Sequence, residues 1–355
     1  MKAFRITVKR LKMAEEKKGL FKPSRLGFYL FSLIVFYFAI HYIGKLKDIQ
    51  KLLLEMKPVW LLVVLAAQTT TYLLNSLILR TLLAGKTGTT GFITLLKISV
   101  VIMFVNQALP SGGLSGNGYI FNQLVKRKIP SAQAFIVLVF ESICYYFAFL
   151  ILLGISYLWY AIRQIHVVSV IKYTVLTGFI FFILLGIIIL LTSNKRTIKF
   201  ILHKLHRFGY IRRYIMKNNL LSIQDKSATG WHYFITHKKA FLLAVLLQIC
   251  ILFSDVITVI AIMNAFHVSL PFSNILLGLL LAQVIGSLPI SPGSLIAYES
   301  AMTYFYTIMG AQVHVALIVT LLYRFFTFWL PIPVGLLLYR NLQHENNTHL
   351  NKSAS

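Results

Sequence analysis

The chain has 355 residues and a formal net charge of +26; 58% of its residues are hydrophobic and 12% charged, with a mean hydropathy of +0.77. That balance excludes a soluble globular domain and reads as a polytopic, all-α membrane protein. The basic excess does not point to nucleic acid, because it sits beside apolar runs in two clusters.

The first cluster is residues 1–25, with nine Lys/Arg against Glu15 and Glu16. It predicts a basic cytoplasmic leader, since flanking Lys and Arg stay on the cytoplasmic side and attract anionic lipid. No cleavable signal is expected: the apolar run that follows lacks a small-residue cleavage site. Runs long enough to span a bilayer then recur at Leu26–Ile43, Val59–Leu79, Phe135–Tyr160, Ile171–Thr192, Phe241–Met263 and Val313–Tyr339. The second basic cluster, 193–240, carries eleven Lys/Arg against Asp225 alone and is expected inside as well. The domain therefore runs over 26–340, with a polar tail at 341–355, in the inner (cytoplasmic) membrane of the cell.

Parity then constrains what lies between the spans. Residues 91–126 leave the cytoplasm and return, yet are too few for two full helices of about 20 residues each. They break at Asn106-Gln107-Ala108-Leu109-Pro110-Ser111-Gly112-Gly113. A second break, Gly286-Ser287-Leu288-Pro289-Ile290-Ser291-Pro292-Gly293, interrupts 275–310. Other matches share the register: Gln68 with Gln248 and Asn75 with Asp255 at an offset of 180 residues, and Ala132-Gln133 with Ala311-Gln312 at 179. The expectation is an inverted internal repeat with halves at about 59–160 and 241–339, giving six full spans and two re-entrant helical hairpins entering from opposite faces.

Broken backbone at membrane depth survives only inside protein or against a wet cavity. Helix N-termini there present free N–H groups and the positive end of the helix dipole, which suits an anionic head group. Candidate substrate-binding residues are accordingly Asn106, Pro110, Gly112, Gly113, Pro289, Pro292 and Gly293. Close helix packing is the bland explanation for the same Gly and Pro. Few ionisable groups fall at membrane depth. Glu299 and Arg324 belong to the same half, flank the second hairpin and are the preferred pair, added to the substrate-binding set; a purely structural ion pair is the competing explanation. Glu141 and Asp255 are candidates for proton or ion coupling. Glu141 has Lys97 as an alternative partner, and Asp255, which replaces Asn75 of the other half, fits a helix–helix hydrogen bond. Cys144 and Cys250 read as small core residues.

These motifs resemble the lysylphosphatidylglycerol-synthase transmembrane region, the flippase-like domain family. The resemblance rests on the first Pro/Gly break followed by Glu141, and on Leu288–Gly293 followed by Glu299. Tyr323-Arg324 and the Pro331, Pro333, Gly335 exit complete it. Ser294 and Ile296 stand where that family often has glycines, and Ser142 where an Arg usually follows the Glu. The first break has Ser115-Gly116-Asn117-Gly118 where an acidic residue and an Arg are often found. The resemblance implies movement of a lipid or polyisoprenoid-linked substrate between leaflets. The soluble aminoacyl-transfer domain fused to some relatives is not expected within these residues.

Enzyme chemistry is not expected. Three aspartates, Asp48, Asp225 and Asp255, are far apart in sequence and cannot form the paired Mg²⁺ motifs of prenyl transfer. Gly85-Lys86-Thr87 imitates a P-loop end but lacks its first Gly. No cofactor or metal is expected. The leading function is a flippase for an anionic phospholipid or polyisoprenoid-linked lipid, working without ATP hydrolysis. The alternative is a non-transporting membrane partner of a separate lipid-modifying or glycosyltransferase enzyme. A membrane-embedded transferase with Glu141 or Glu299 as base is the weakest reading.

Overall fold

The computed structural model describes residues 57–83, 90–108, 114–163, 167–192, 236–288, 294 and 296–352. The expected span at 26–43 lies outside them, as do residues 1–56 and 193–235. All regular structure among the described residues is helical: α1 (Val59–Leu82), α2 (Phe92–Ala108), α3 (Leu114–Lys126), α4 (Ser131–Arg163), α5 (Ser169–Thr192), α6 (Lys238–Ala265), α7 (Phe272–Ser287), α8 (Ala297–Ile308), α9 (Val313–Arg324) and α10 (Pro331–Lys352), the last two joined by a π-helical turn at Phe325–Trp329.

Five stretches are long and apolar enough to cross a membrane: Val59–Leu82, Gln133–Arg163, Ser169–Leu191, Lys238–Ala265 and Val313–Leu342. They coincide with five of the six predicted spans. The other four helices come in two pairs. At 1.5 Å per residue α2 and α3 are about 25 and 20 Å long, and α7 and α8 about 24 and 18 Å. None reaches the roughly 30 Å of a hydrocarbon core. Long helix, short pair, long helix is thus an order that occurs twice, with α2 starting at Phe92 and α7 at Phe272.

α1 and α6 hold the same place in the two halves, and they pack along their length in opposite directions. The Lys57 N–H donates to the Ala265 carbonyl at 3.3 Å, where α1 begins and α6 ends. Further along, Ser254 Oγ donates to the Ala67 carbonyl at 2.7 Å. Gln68 Nε2 donates to Thr258 Oγ1 at 2.8 Å. These polar side chains are buried among Val64, Ala67, Leu252, Val256 and Val259. Each finds its partner across the seam, as interhelical polar groups in an apolar setting must.

The hairpin of α7 and α8 follows from glycine and tyrosine at matched spacing. A Cβ on Gly286 would lie 2.6 Å from the Tyr298 ring, and one on Gly278 would lie 2.5 Å from the Tyr306 ring. Both pairs are eight residues apart, about 12 Å of helix, so two rings on one helix seat in two notches on the other. At the open end the Tyr306 hydroxyl donates to the Ile275 carbonyl and Asn274 Nδ2 to the Met309 carbonyl, each at 3.2 Å. α8 then stops at Gly310, whose φ of +110° suits glycine, with Ala311 N–H reaching back to the Tyr306 carbonyl at 2.9 Å. α3 ends in the same way at Lys128, φ +66°, with Ile129 N–H on the Leu124 carbonyl at 3.2 Å.

α5 and α7 are both predominantly apolar, with opposite fates. α7 is buried over most of its length, from Ser273 through Ala282 and again at Val284. α5 turns Leu176, Ile180, Ile183, Leu184, Ile187 and Ile188 outward. A helix that shows that much aliphatic surface faces lipid. One expectation is corrected here. Cys144 is buried, its Sγ 3.8 Å from the Phe241 carbonyl, but Cys250 is exposed. Ile251 and Leu252 take the inward face of α6, and one helical step leaves Cys250 outside it.

The notch predicts a sharp asymmetry between glycines. Gly278→Ala should destabilise the protein by about 1–3 kcal/mol through overpacking. Gly186→Ala on α5, with no atom within 4 Å of its added Cβ, should be neutral or gain up to about 1 kcal/mol in helix propensity. Thermal unfolding in detergent separates them; equal midpoints for the two variants would remove the notch from the account.

Candidate functional site

Glu299 and Arg324 meet. Glu299 stands in the first turn of α8, where a carboxylate complements the helix dipole. Arg324 closes α9. Arg324 Nε donates to Glu299 Oε1 at 2.6 Å, with the two side chains 11% and 16% exposed respectively. The guanidinium lies 4.7 Å from the Tyr298 ring centre and 4.5 Å from that of Phe328, so it is held between two aromatic faces. Tyr298 in turn stacks on Tyr323, centroids 6.3 Å apart and planes at 10°. Glu299 Oε2 is buried without a hydrogen-bond partner. A buried charged acceptor left in that state costs on the order of 1–3 kcal/mol or more.

The π-helical turn directly after Arg324 has a local cause. Pro331 and Pro333 lack N–H groups, so two carbonyls in the preceding turn lose their usual donors. The chain adapts by one wider turn, in which Leu330 N–H reaches the Phe325 carbonyl at 2.8 Å. Such turns insert one extra residue in a helix and recur at functional sites. Here Phe328 lies within it, against Arg324.

Asn106 is engaged within the α2–α3 pair. Its Oδ1 accepts the Gly116 N–H at 2.8 Å, which satisfies one of the free amides in the first turn of α3. A Cβ at Gly116 would lie 2.3 Å from that oxygen, so the glycine is what admits the amide. Pro110, Gly112, Gly113, Pro289, Pro292 and Gly293 lie outside the described residues.

The two positions that depart from the family's glycines keep a glycine-like backbone. Ser294 has φ +56° and Ile296 φ +73°. With ψ −51°, Ile296 is in the strained γ-turn region, a rare place for a β-branched residue. Its carbonyl accepts from Ser300 N–H at 2.8 Å and so begins α8. Ser294 Oγ donates to the Gly286 carbonyl, tying the end of the break back to α7.

The remaining candidates lie where the long helices meet. Gln68 Nε2 also approaches Asp255 Oδ1, at 3.5 Å. The Gln248 side chain is a hydrogen-bond partner of the Glu141 carboxyl. Asp255 thus makes the helix–helix contact expected for it. Sequence reading placed Gln68 and Gln248 in the repeat but gave neither a carboxyl to hold. It also missed the aromatic clamp, although Tyr298 adjoins Glu299 and Phe328 is four residues past Arg324.

All this defines a class: a multi-pass, all-helical membrane protein in which two short helix pairs lie between the spans and a part-buried ion pair ties one of them to the span that follows. The chain belongs to the family described as the lysylphosphatidylglycerol synthase TM region, whose model matches residues 26–335. That membership puts it in membrane lipid biology. No curated protein and no solved structure matches it.

Two measurements test the site. Glu299→Gln and Arg324→Gln should each lose about 3–5 kcal/mol of stability, because either one leaves a buried charge unpaired. A double-mutant cycle should return a coupling of about 0.5–3 kcal/mol; purely additive losses would mean the groups do not interact. Separately, Ile296→Gly should raise stability by about 1 kcal/mol by relieving the positive φ, while Ile296→Val should bring no gain.

Proposed function

We propose that the protein is a lipid transporter that moves an anionic phospholipid or a polyisoprenoid-linked lipid between leaflets without ATP hydrolysis. The observation that carries this reading is the recurrence of the short helix pairs at equivalent places, in each of which one helix ends before a Gly/Pro segment and the next begins after it. A helix interrupted at membrane depth is expensive in exposed backbone unless the break serves a cavity or a ligand. Two such breaks in matched positions are the arrangement of secondary transporters. The opposite directions of α1 and α6 support an inverted repeat, with the pairs as re-entrant hairpins entering from opposite faces.

The site chemistry supports a head group as the ligand. Arg324 supplies positive charge to a phosphate, and the unmatched Glu299 Oε2 is an acceptor for a hydroxyl or ammonium donor on the same head group. Free N–H groups at the starts of α3 and α8 add donors, less the one that Asn106 occupies in α3. On this reading the breaks at Pro110, Gly112, Gly113 and at Pro289, Pro292, Gly293 let the lipid approach the backbone, and the N-terminus is cytoplasmic. The competing reading, a membrane partner of a separate lipid-modifying enzyme, has no particular contact in its favour.

Purified protein in liposomes with fluorophore-labelled phosphatidylglycerol tests the proposal, with a membrane-impermeant quencher reporting each leaflet. Protein-containing vesicles should equilibrate the probe faster than empty ones, and Arg324→Gln should lose at least tenfold of that rate, about 1.4 kcal/mol in barrier. Rates equal to those of empty vesicles would reject transport of this lipid class, and copurification of an enzyme would then favour the partner reading.

A further inference from the structure

Two carboxyls sit inside long apolar helices with only amides and hydroxyls for company. Glu141 on α4 is held by Gln248 of α6. Asp255 on α6 is approached by Gln68 of α1, which makes its shorter bond to Thr258. The two glutamines share one register in the two halves, 180 residues apart. Each half of the molecule therefore offers one amide to one carboxyl. Among the described residues, no basic side chain bonds to either acid. Both acids are half-buried.

Their surroundings join them to the ion pair. Tyr145 stands four residues after Glu141 on the same face of α4 and interacts with Glu141, Asp255 and Tyr298. Cys144 and Tyr146 also lie within electrostatic range of Glu141. Tyr72 from α1, Tyr298 from α8 and Tyr323 from α9 lie within electrostatic range of Asp255. Tyr298 and Tyr323 are hydrogen-bonded to each other, and Tyr298 lies under Arg324. Hydroxyls and carboxyls within electrostatic range of one another thus extend from Glu141 past Asp255 to the Tyr298–Tyr323 pair that adjoins Arg324 and Glu299.

Amides and phenols do not neutralise a carboxylate, and an ionised acid without a cation in an apolar interior takes up a proton instead. We infer that Glu141 and Asp255 form a proton-binding pair, one acid from each half, whose loading and release couples lipid movement to a transmembrane proton gradient. Each carboxylate takes one proton from water to become the neutral acid and returns it to water; no bond to carbon changes and no electron moves. A switch in the charge of Asp255 reaches Arg324 through Tyr298 and Tyr323, and so reaches the group assigned to the head group. The inference rests on the transport reading, and its test separates the two.

Infrared spectra of the purified protein in lipid nanodiscs come first. At neutral pH the wild type should show the C=O stretch of protonated carboxylic acid, fading as pH rises, with one component lost in Glu141→Gln and another in Asp255→Asn. Only ionised carboxylate bands across that range, in the wild type alone and with no variant needed, would overturn the pair. The second arm uses the liposomes with fluorophore-labelled phosphatidylglycerol. An imposed pH gradient of one polarity should accelerate wild-type translocation over the rate at equal pH. Translocation indifferent to the gradient overturns the coupling and leaves transport standing. No translocation above empty vesicles overturns the transport reading and the coupling with it, while the infrared bands still report whether the acids hold protons.

Discussion

The antiparallel seam between α1 and α6 is the contact on which the rest of the molecule depends. Inside a bilayer, apolar surface gives little reason for helices to associate, because lipid is as apolar as leucine. Association then falls to close packing and to polar groups that have nowhere else to go. The seam has both: small or branched residues at the contact, and Gln68, Ser254 and Thr258 bonded across it. The two halves meet through these bonds. α4 and α9 also pack on α6, which brings Glu141 and Tyr323 towards Asp255. Loosening of the seam would move the acids before it disturbed any hairpin.

Close approach is the second theme, and it is obtained in two ways. In the α7–α8 pair, tyrosines on the second helix seat in glycine notches on the first. In the α2–α3 pair the direction reverses: Asn106 on the first helix seats against Gly116 on the second. The same problem, holding two short helices side by side across a break, has one aromatic and one polar solution. The polar solution uses up a helix N-terminal amide, whereas the aromatic one brings Tyr298 beneath Arg324. The halves are alike in outline and unlike in chemistry.

Much of the fold was legible because it rests on period and length. Five apolar runs of spanning length became helices where expected, and the described short helices end before and begin after the Gly/Pro segments, since Pro and Gly act on the backbone directly. The Glu299–Arg324 contact was legible from scarcity: with few charges at depth, opposite signs in the same half are driven to meet. Less was legible where a decision depends on which side of a helix faces in. Cys250 lies one step from the buried Ile251 and faces out, and Asn106 turned to an amide ten residues away. The pairing of Gln248 with Glu141 joins residues far apart in sequence, and only tertiary packing brings such groups together. The positive φ of Ser294 and Ile296 was foreshadowed by the family's glycines at those positions, although the residues themselves argue against it.

The π-helical turn at Phe325–Trp329 reaches beyond the arginine it follows. One extra residue in a helix turns everything after it by about 100° relative to a regular α-helix. α10 is everything after it. Gly335 meets Phe104 of α2 so closely that a Cβ would lie 2.3 Å from it, and Tyr339 rests against both Phe104 and Tyr119. Those contacts exist only in the rotated phase; in regular α-helical phase the notch and the ring would point away from α2. A wider turn beside the ion pair therefore also sets the rotational register by which the last helix locks onto the first half of the chain.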